Sequence, residues 1–169
     1  MSELKGSKTE QDLKEAFAGE SQANRKYLAF AKKADQEGYT QVAKLFRAAA
    51  AAETVHAHAH LRVLGGIGST AANLQEAVSG ETFEFSKMYP EMMKDATQEG
   101  FDPALRSFTW ANEVEKVHAG LYQKALDSLG KNASVDYYVC QVCGNTLEGA
   151  PDGPCEVCGA APSAFHKID

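Results

Sequence analysis

The sequence predicts an all-α four-helix bundle followed by a small, turn-rich module held by metal. Three observations carry that prediction. The first 130 residues hold four long stretches with apolar residues at helical spacing, each followed by glycine. The segment Phe46-x6-Glu53-x-Val55-His56-Ala57 returns 62 positions later as Phe108-x6-Glu115-x-Val117-His118-Ala119. All four cysteines lie after residue 139, in two Cys-x-x-Cys-Gly runs.

The first helix is expected from about Thr9 to Glu37, with the stripe Leu13, Phe17, Glu20, Asn24, Tyr27 and Ala31 and a stop at Gly38. The second runs from about Thr40 to Leu64 and carries Val42, Phe46, Ala49, Glu53, His56 and Val63 before Gly65-Gly66. Ser69 or Thr70 caps the third, which carries Leu74, Val78, Glu81, Phe85, Met88 and Met92 and ends near Gly100. The fourth is expected to open with Asp102 as N-cap and Pro103 at the first helical position. It carries Leu105, Phe108, Glu115, His118, Tyr122 and Leu126 and ends at Gly130. Residues 1–130 therefore form the bundle, 131–136 a linker, and 137–169 the cysteine module. That module is below the ~40 residues at which a core alone usually suffices, so a bound metal must help hold it.

Composition excludes several classes. With 169 residues, 44% of them apolar, and a formal net charge of -6, the chain reads as an ordinary acidic soluble protein. No basic patch points to nucleic acid, and no apolar run points to a membrane span. The start Met1-Ser2-Glu3-Leu4-Lys5 has no hydrophobic signal region, which makes the cytoplasm the expected location.

The two halves of the bundle are an internal repeat. Gly38, Phe46, Glu53 and His56 match Gly100, Phe108, Glu115 and His118 at an offset of 62, but Glu20 matches Glu81 at 61. Tyr27 matches Tyr89 at 62, while Glu84 falls opposite Ala23 at 61. One residue has thus been gained between Glu84 and Tyr89. A helix absorbs a single inserted residue as a π-bulge, and Pro90 disturbs the ladder further. A local irregularity is expected there.

Residues three apart share a helix face. Glu53 with His56, Glu115 with His118, and Glu81 with Glu84 can each serve one metal site, and Glu20 joins from the first helix. These five acids interrupt apolar stripes, where ionised carboxylates are costly unless paired or bound to metal. Two Glu-x-x-His pairs with glutamates from two other helices suit two first-row ions, iron or manganese first. Tyr27 and Tyr89 lie within two turns of the acids, where a hydroxyl can hold a ligand carboxylate. His58 and His60 lengthen the run after His56 but are read as structural.

Cys140, Cys143, Cys155 and Cys158 form two knuckles suited to a tetrahedral ion. The glycine after each second cysteine permits a positive φ. Spacing alone leaves iron and zinc both open and leans to structural zinc.

The chain resembles the rubrerythrins over nearly its whole length. The resemblance rests on Gly19-Glu20-Ser-Gln-Ala-Asn24, Glu53-x-x-His56, Gly80-Glu81-x-x-Glu84 with Met88-Tyr89-Pro90, Glu115-x-x-His118, and the tail Tyr138-Val139-Cys140 to Ala160. It implies a ferritin-like bundle with a non-haem di-iron site, then a rubredoxin-like domain with one iron on four cysteines, zinc remaining possible. It implies reduction of hydrogen peroxide to water in protection against oxidative stress. By position it assigns Glu20, Glu53, His56, Glu81, Glu84, Glu115 and His118 to the two irons, with His56 and Glu84 exchanging between redox states. Electrons would come from a rubredoxin or an NAD(P)H-dependent reductase, and a homodimer is implied. A ferroxidase or iron-storage protein would use the same carboxylates but would not need the cysteines. Gln141 stands where the family often has proline.

Overall fold

The computed structural model describes residues 4–169, so the first three residues of the N-terminal segment discussed above lie outside the described residues. The chain divides into two compact units, Met1–Gly68 and Ser69–Asp169.

The first unit is a helical hairpin of α1 (Lys8–Gln36) and α2 (Thr40–Val63). α1 starts one residue earlier than expected because Ser7 caps it, its hydroxyl accepting the Glu10 N–H at 3.1 Å. Glu10 reaches back to accept the Gly6 N–H at 2.5 Å, a variant of the capping box. At the other end Gly38 adopts φ +83°, and the Tyr39 N–H reaches the Ala34 carbonyl at 2.8 Å. So short a turn makes the helices antiparallel neighbours.

The seam between them is made of small residues. Ala31 and Ala34 on α1 and Ala43, Ala50 and Ala57 on α2 are buried. The three on α2 recur every seven residues, the spacing of a coiled-coil contact line. Val42 and Val63, expected on the buried stripe, are instead exposed. The contact line runs through alanines beside them, because a small side chain lets two backbones approach closely. Asn24 is buried on this seam, and its side-chain N–H group donates to the Ala50 carbonyl at 2.7 Å and to Thr54 Oγ1 at 2.9 Å. Tyr27, Phe30 and Phe46 form an aromatic cluster, with ring centroids 5.6 Å apart for the two phenylalanines.

The second unit holds α3 (Thr70–Phe83), a π-turn (Glu84–Met88), α4 (Tyr89–Glu99) and α5 (Asp102–Asp127). Ser69 caps α3 through the Ala72 N–H at 3.2 Å. The irregularity expected between Glu84 and Tyr89 is the π-turn, in which the Tyr89 N–H bonds to the Glu84 carbonyl five residues back. Gly100 then takes the left-handed conformation, and the Phe101 N–H closes on the Ala96 carbonyl at 2.9 Å. α5 differs from expectation in its cap: Phe101 takes the N-cap place, since its carbonyl accepts the Leu105 N–H at 2.9 Å. Asp102 is thereby the first helical residue and Pro103 the second.

After α5 comes a three-stranded antiparallel sheet of β1 (Tyr137–Cys140), β2 (Thr146–Glu148) and β3 (Phe165–Lys167), in the order β2-β1-β3. Val139 pairs with Thr146 on one side and with His166 on the other. A 3-10 turn at Pro162–Ala164 leads into β3. Among the described residues, no helix is long and apolar enough to cross a membrane.

The alanine seam makes a testable demand. Ala43 is fully buried, so Ala43→Leu must push the two helices apart. Denaturant unfolding should show a loss of about 1–3 kcal/mol. An unchanged midpoint would mean that the helices do not meet along this line.

Candidate metal centres

Each unit carries one copy of the repeated cluster. In the first, Glu20 from α1 and Glu53 and His56 from α2 place one ligand atom each within 4.8 Å of one another. His56 Nδ1 lies 2.9 Å from Glu53 Oε2 and 3.9 Å from Glu20 Oε1. In the second, Glu81 from α3 and Glu115 and His118 from α5 meet the same criterion. His118 Nδ1 lies 2.7 Å from Glu115 Oε2 and 3.7 Å from Glu81 Oε1. The two clusters are near copies, as the repeat requires. In both, Nδ1 is the nitrogen turned to the carboxylates.

Glu84 stands outside the second triad, in the π-turn that follows α3. It is close enough to be influenced by it: burial, and then the Glu115 charge, hold its carboxyl above the usual range. Glu81 is pushed up to about 7, first by burial and then by Glu115 and Glu84. This crowding of carboxylates in a partly dry setting is what a cation relieves.

Tyr89 lies near the same acids, its phenol raised by burial and then by Glu84, Glu115 and Glu81. Tyr27 belongs to the aromatic cluster on α1. Among the described residues neither hydroxyl makes a hydrogen bond. His58 and His60 fall outside both clusters.

The four cysteines form a third cluster, all free and within 4.8 Å of one another. Cys140 and Cys158 sulfurs are 3.8 Å apart, and Cys143 and Cys155 sulfurs 3.5 Å. A tetrahedral ion with metal–sulfur bonds of about 2.3 Å has edges of about 3.8 Å, so the cage fits one metal. Each knuckle closes the same way: Gly144 N–H to Cys140 O and Gly159 N–H to Cys155 O, both 2.8 Å. Gly144 and Gly159 adopt φ +88° and +74°, the left-handed conformation expected of them. Burial drives the Cys143 thiol up. Burial also opposes ionisation of Cys155, but backbone N–H groups of Cys158 and Val157 outweigh it and bring the thiol to about 7.

Two side chains of this region escape sequence reasoning. Asn145 is buried and sends its side-chain N–H toward Cys155 Sγ at 3.7 Å. The second knuckle has Ala160 in the corresponding place, and that difference was a readable signal. Thr146 Oγ1 lies 3.0 Å from His118 Nε2 across 28 residues of sequence. No one-dimensional pattern announces such a contact.

A family profile described as Rubrerythrin matches residues 12–126. The chain belongs to the rubrerythrin family. Rubrerythrin-2 of Clostridium acetobutylicum is 35% identical over 98% of this chain and 99% of its own length. Rubrerythrin of Porphyromonas gingivalis is 36% identical over 97% of this chain and 91% of its own. Nigerythrin of Nitratidesulfovibrio vulgaris is 34% identical over 93% and 85%. Among solved structures, partially reduced nigerythrin matches with a TM-score of 0.59 and 33% identity, covering 96% of this chain and 87% of that one. A fully reduced, all-ferrous nigerythrin gives the same TM-score at 32% identity. The fold is thus the ferritin-like four-helix bundle with a rubredoxin-like module, and the cofactors are two irons in the bundle and one on the cysteines. As a rubrerythrin, the protein is an iron-binding protein of oxidative stress and of oxidoreductase type.

Glu81 yields a pH prediction for the iron-free protein. Its folded pKa of about 7 lies above the ordinary 4.5. Between those values the folded state holds a proton that the unfolded chain has released, so stability falls as pH rises through the window. Thermal unfolding of iron-free protein should occur at lower temperature at pH 8 than at pH 5, and Glu81→Gln should flatten the difference. A wild-type slope no steeper than that of Glu81→Gln would contradict the assignment.

Proposed function

We propose that the protein is a non-haem di-iron peroxidase that reduces hydrogen peroxide to water, with electrons delivered through the four-cysteine iron. The observation that carries this reading is the meeting of two redox-capable donor sets: the cysteine module packs on α5 beside His118, a member of the second carboxylate cluster. An iron-storage protein has no use for that arrangement.

In this reading residues 1–130 form the catalytic bundle, 131–136 a linker, and 137–169 the electron-entry domain. Glu20, Glu53, His56, Glu81, Glu84, Glu115 and His118 hold the two irons. Bound irons supply two electrons and stabilise negative charge developing on oxygen. The side chains do the rest. Five carboxylates offset the metal charge. Glu81, which keeps its proton to about pH 7 in the iron-free protein, releases it to solvent as the cation takes its place.

His56 and Glu84 are the exchanging pair. The His56 side chain is 54% exposed, whereas that of His118 is 27% exposed. Glu84 sits in the π-turn, the one place where the third helix departs from regular geometry. A side chain with room to move and a carboxylate on an irregular turn, with Tyr89 near it, support that reading. The electron donor is a rubredoxin or an NAD(P)H-dependent reductase, the working form a homodimer, and the setting the cytoplasm.

Stopped-flow absorption tests the reaction. Reduced, iron-loaded protein should be reoxidised by hydrogen peroxide faster than by oxygen; equal rates, or faster oxidation by oxygen, would sink the peroxidase reading. Glu84→Ala should keep the fold and slow the peroxide reaction by at least the roughly 10-fold cost of losing even a residue that only orients a ligand. Cys158→Ser should stop turnover with a rubredoxin-type donor and leave the bundle irons in place. Full turnover in that variant would remove the relay role from the cysteine site.

A further inference from the structure

We propose that Thr146 is a positioning residue that locks His118, fixing its tautomer and orientation and joining the four-cysteine domain to the carboxylate cluster by hydrogen bonds. The proposal rests on the reading that His118 binds iron.

Donor and acceptor chemistry assigns the direction of each bond. Thr146 Oγ1 lies 3.2 Å from the Gly144 carbonyl and 3.0 Å from His118 Nε2. A carbonyl only accepts, so the threonine hydroxyl spends its one proton there. Its remaining capacity is to accept, and His118 Nε2 must therefore carry the ring proton. In the neutral ring Nδ1 is then the unprotonated atom; it lies 2.7 Å from Glu115 Oε2 and 3.7 Å from Glu81 Oε1, where a cation takes the place a proton would otherwise hold between nitrogen and carboxylates. The hydroxyl thus selects the tautomer that presents a lone pair to a cation between the carboxylates.

Thr146 is itself well placed to do this. It lies on β2 opposite Val139 of β1, the residue before Cys140. Gly144 follows Cys143 directly, and its N–H donates to Cys140 O at 2.8 Å. The chain of contacts from the first knuckle to His118 is therefore Gly144, Thr146 and the imidazole. The module is pinned to α5 on both sides of this contact, by the Lys124–Glu148 ion pair and by Val114 packed near Gly144.

His56 has no such partner. Among the described residues its ring bonds only through Nδ1 to the carboxylates, and nothing meets Nε2. The near-symmetric repeat thus has one histidine held at its far nitrogen and one left free. Thr146 makes His118 the stationary histidine, so the redox-linked exchange falls on His56.

Three forms test this: the iron-loaded wild type, Thr146→Val, which keeps the shape and removes the hydroxyl, and Thr146→Ser, which restores the hydroxyl. In the fully reduced state, iron-bound imidazoles give hyperfine-shifted N–H proton resonances whose exchange with water can be timed. Wild type should show one slow and one fast proton. Thr146→Val should show two fast ones, and Thr146→Ser should retain the slow one. Single-turnover transfer from the reduced four-cysteine iron to the oxidised bundle irons should also slow by about 10- to 100-fold in Thr146→Val, with the visible spectrum of the cysteine site unchanged. Two equally fast protons in the wild type, or a slow proton that survives Thr146→Val, would overturn the proposal. The proton measurement does not involve peroxide, so a failure of the peroxidase reading leaves it standing.

Discussion

Negative charge without a protein counter-charge is the constraint on which this structure depends. Five glutamates sit on faces that would otherwise be apolar, and no lysine or arginine forms an ion pair with any of them among the described residues. Four thiols share a cage whose sulfurs are as close as 3.5 Å. Both arrangements are unfavourable when empty, because ionised groups are then partly dehydrated beside their own kind. The raised Glu81 and the spread of cysteine acidities express that cost. Metal binding removes it, and so metal and fold stabilise each other.

The repeat explains why the clusters are alike, and the departures from it explain why they are not. Both halves present Glu, Glu and His with Nδ1 turned inward. The second half adds Glu84 through one inserted residue, and the helix absorbs that residue as a π-turn. It also receives the cysteine module, whose Thr146 hydroxyl meets His118 Nε2 at 3.0 Å. One half-site is therefore richer in carboxylate and more firmly held, and the other has the more exposed histidine.

Much of this was legible in the sequence, for reasons that differ by element. The triads could be read because ligand spacing on a helix is local: three residues fix a face. The π-turn could be read because comparing two repeats exposes a single insertion. The cysteine knuckles could be read because Gly144 and Gly159 mark the left-handed positions the turns need. The alanine seam could not, since a stripe of large apolar residues such as Val42 and Val63 outweighs alanine in any hydropathy pattern, yet close helix contact selects the smaller side chain. The α5 cap was misplaced by one residue because Asp102 and Pro103 both fit an N-terminus, and only the Leu105 bond to Phe101 decides between registers. Thr146 was invisible because its role is a tertiary contact with His118.

The central claim is that the carboxylate clusters hold a pair of irons and the cysteines a single one. Anomalous diffraction collected on either side of the iron absorption edge addresses it directly. The account predicts three iron peaks per chain, one inside the cysteine cage and two among the glutamates and histidines. A cysteine peak that appears only at the zinc edge, or glutamate clusters without iron peaks, would contradict it.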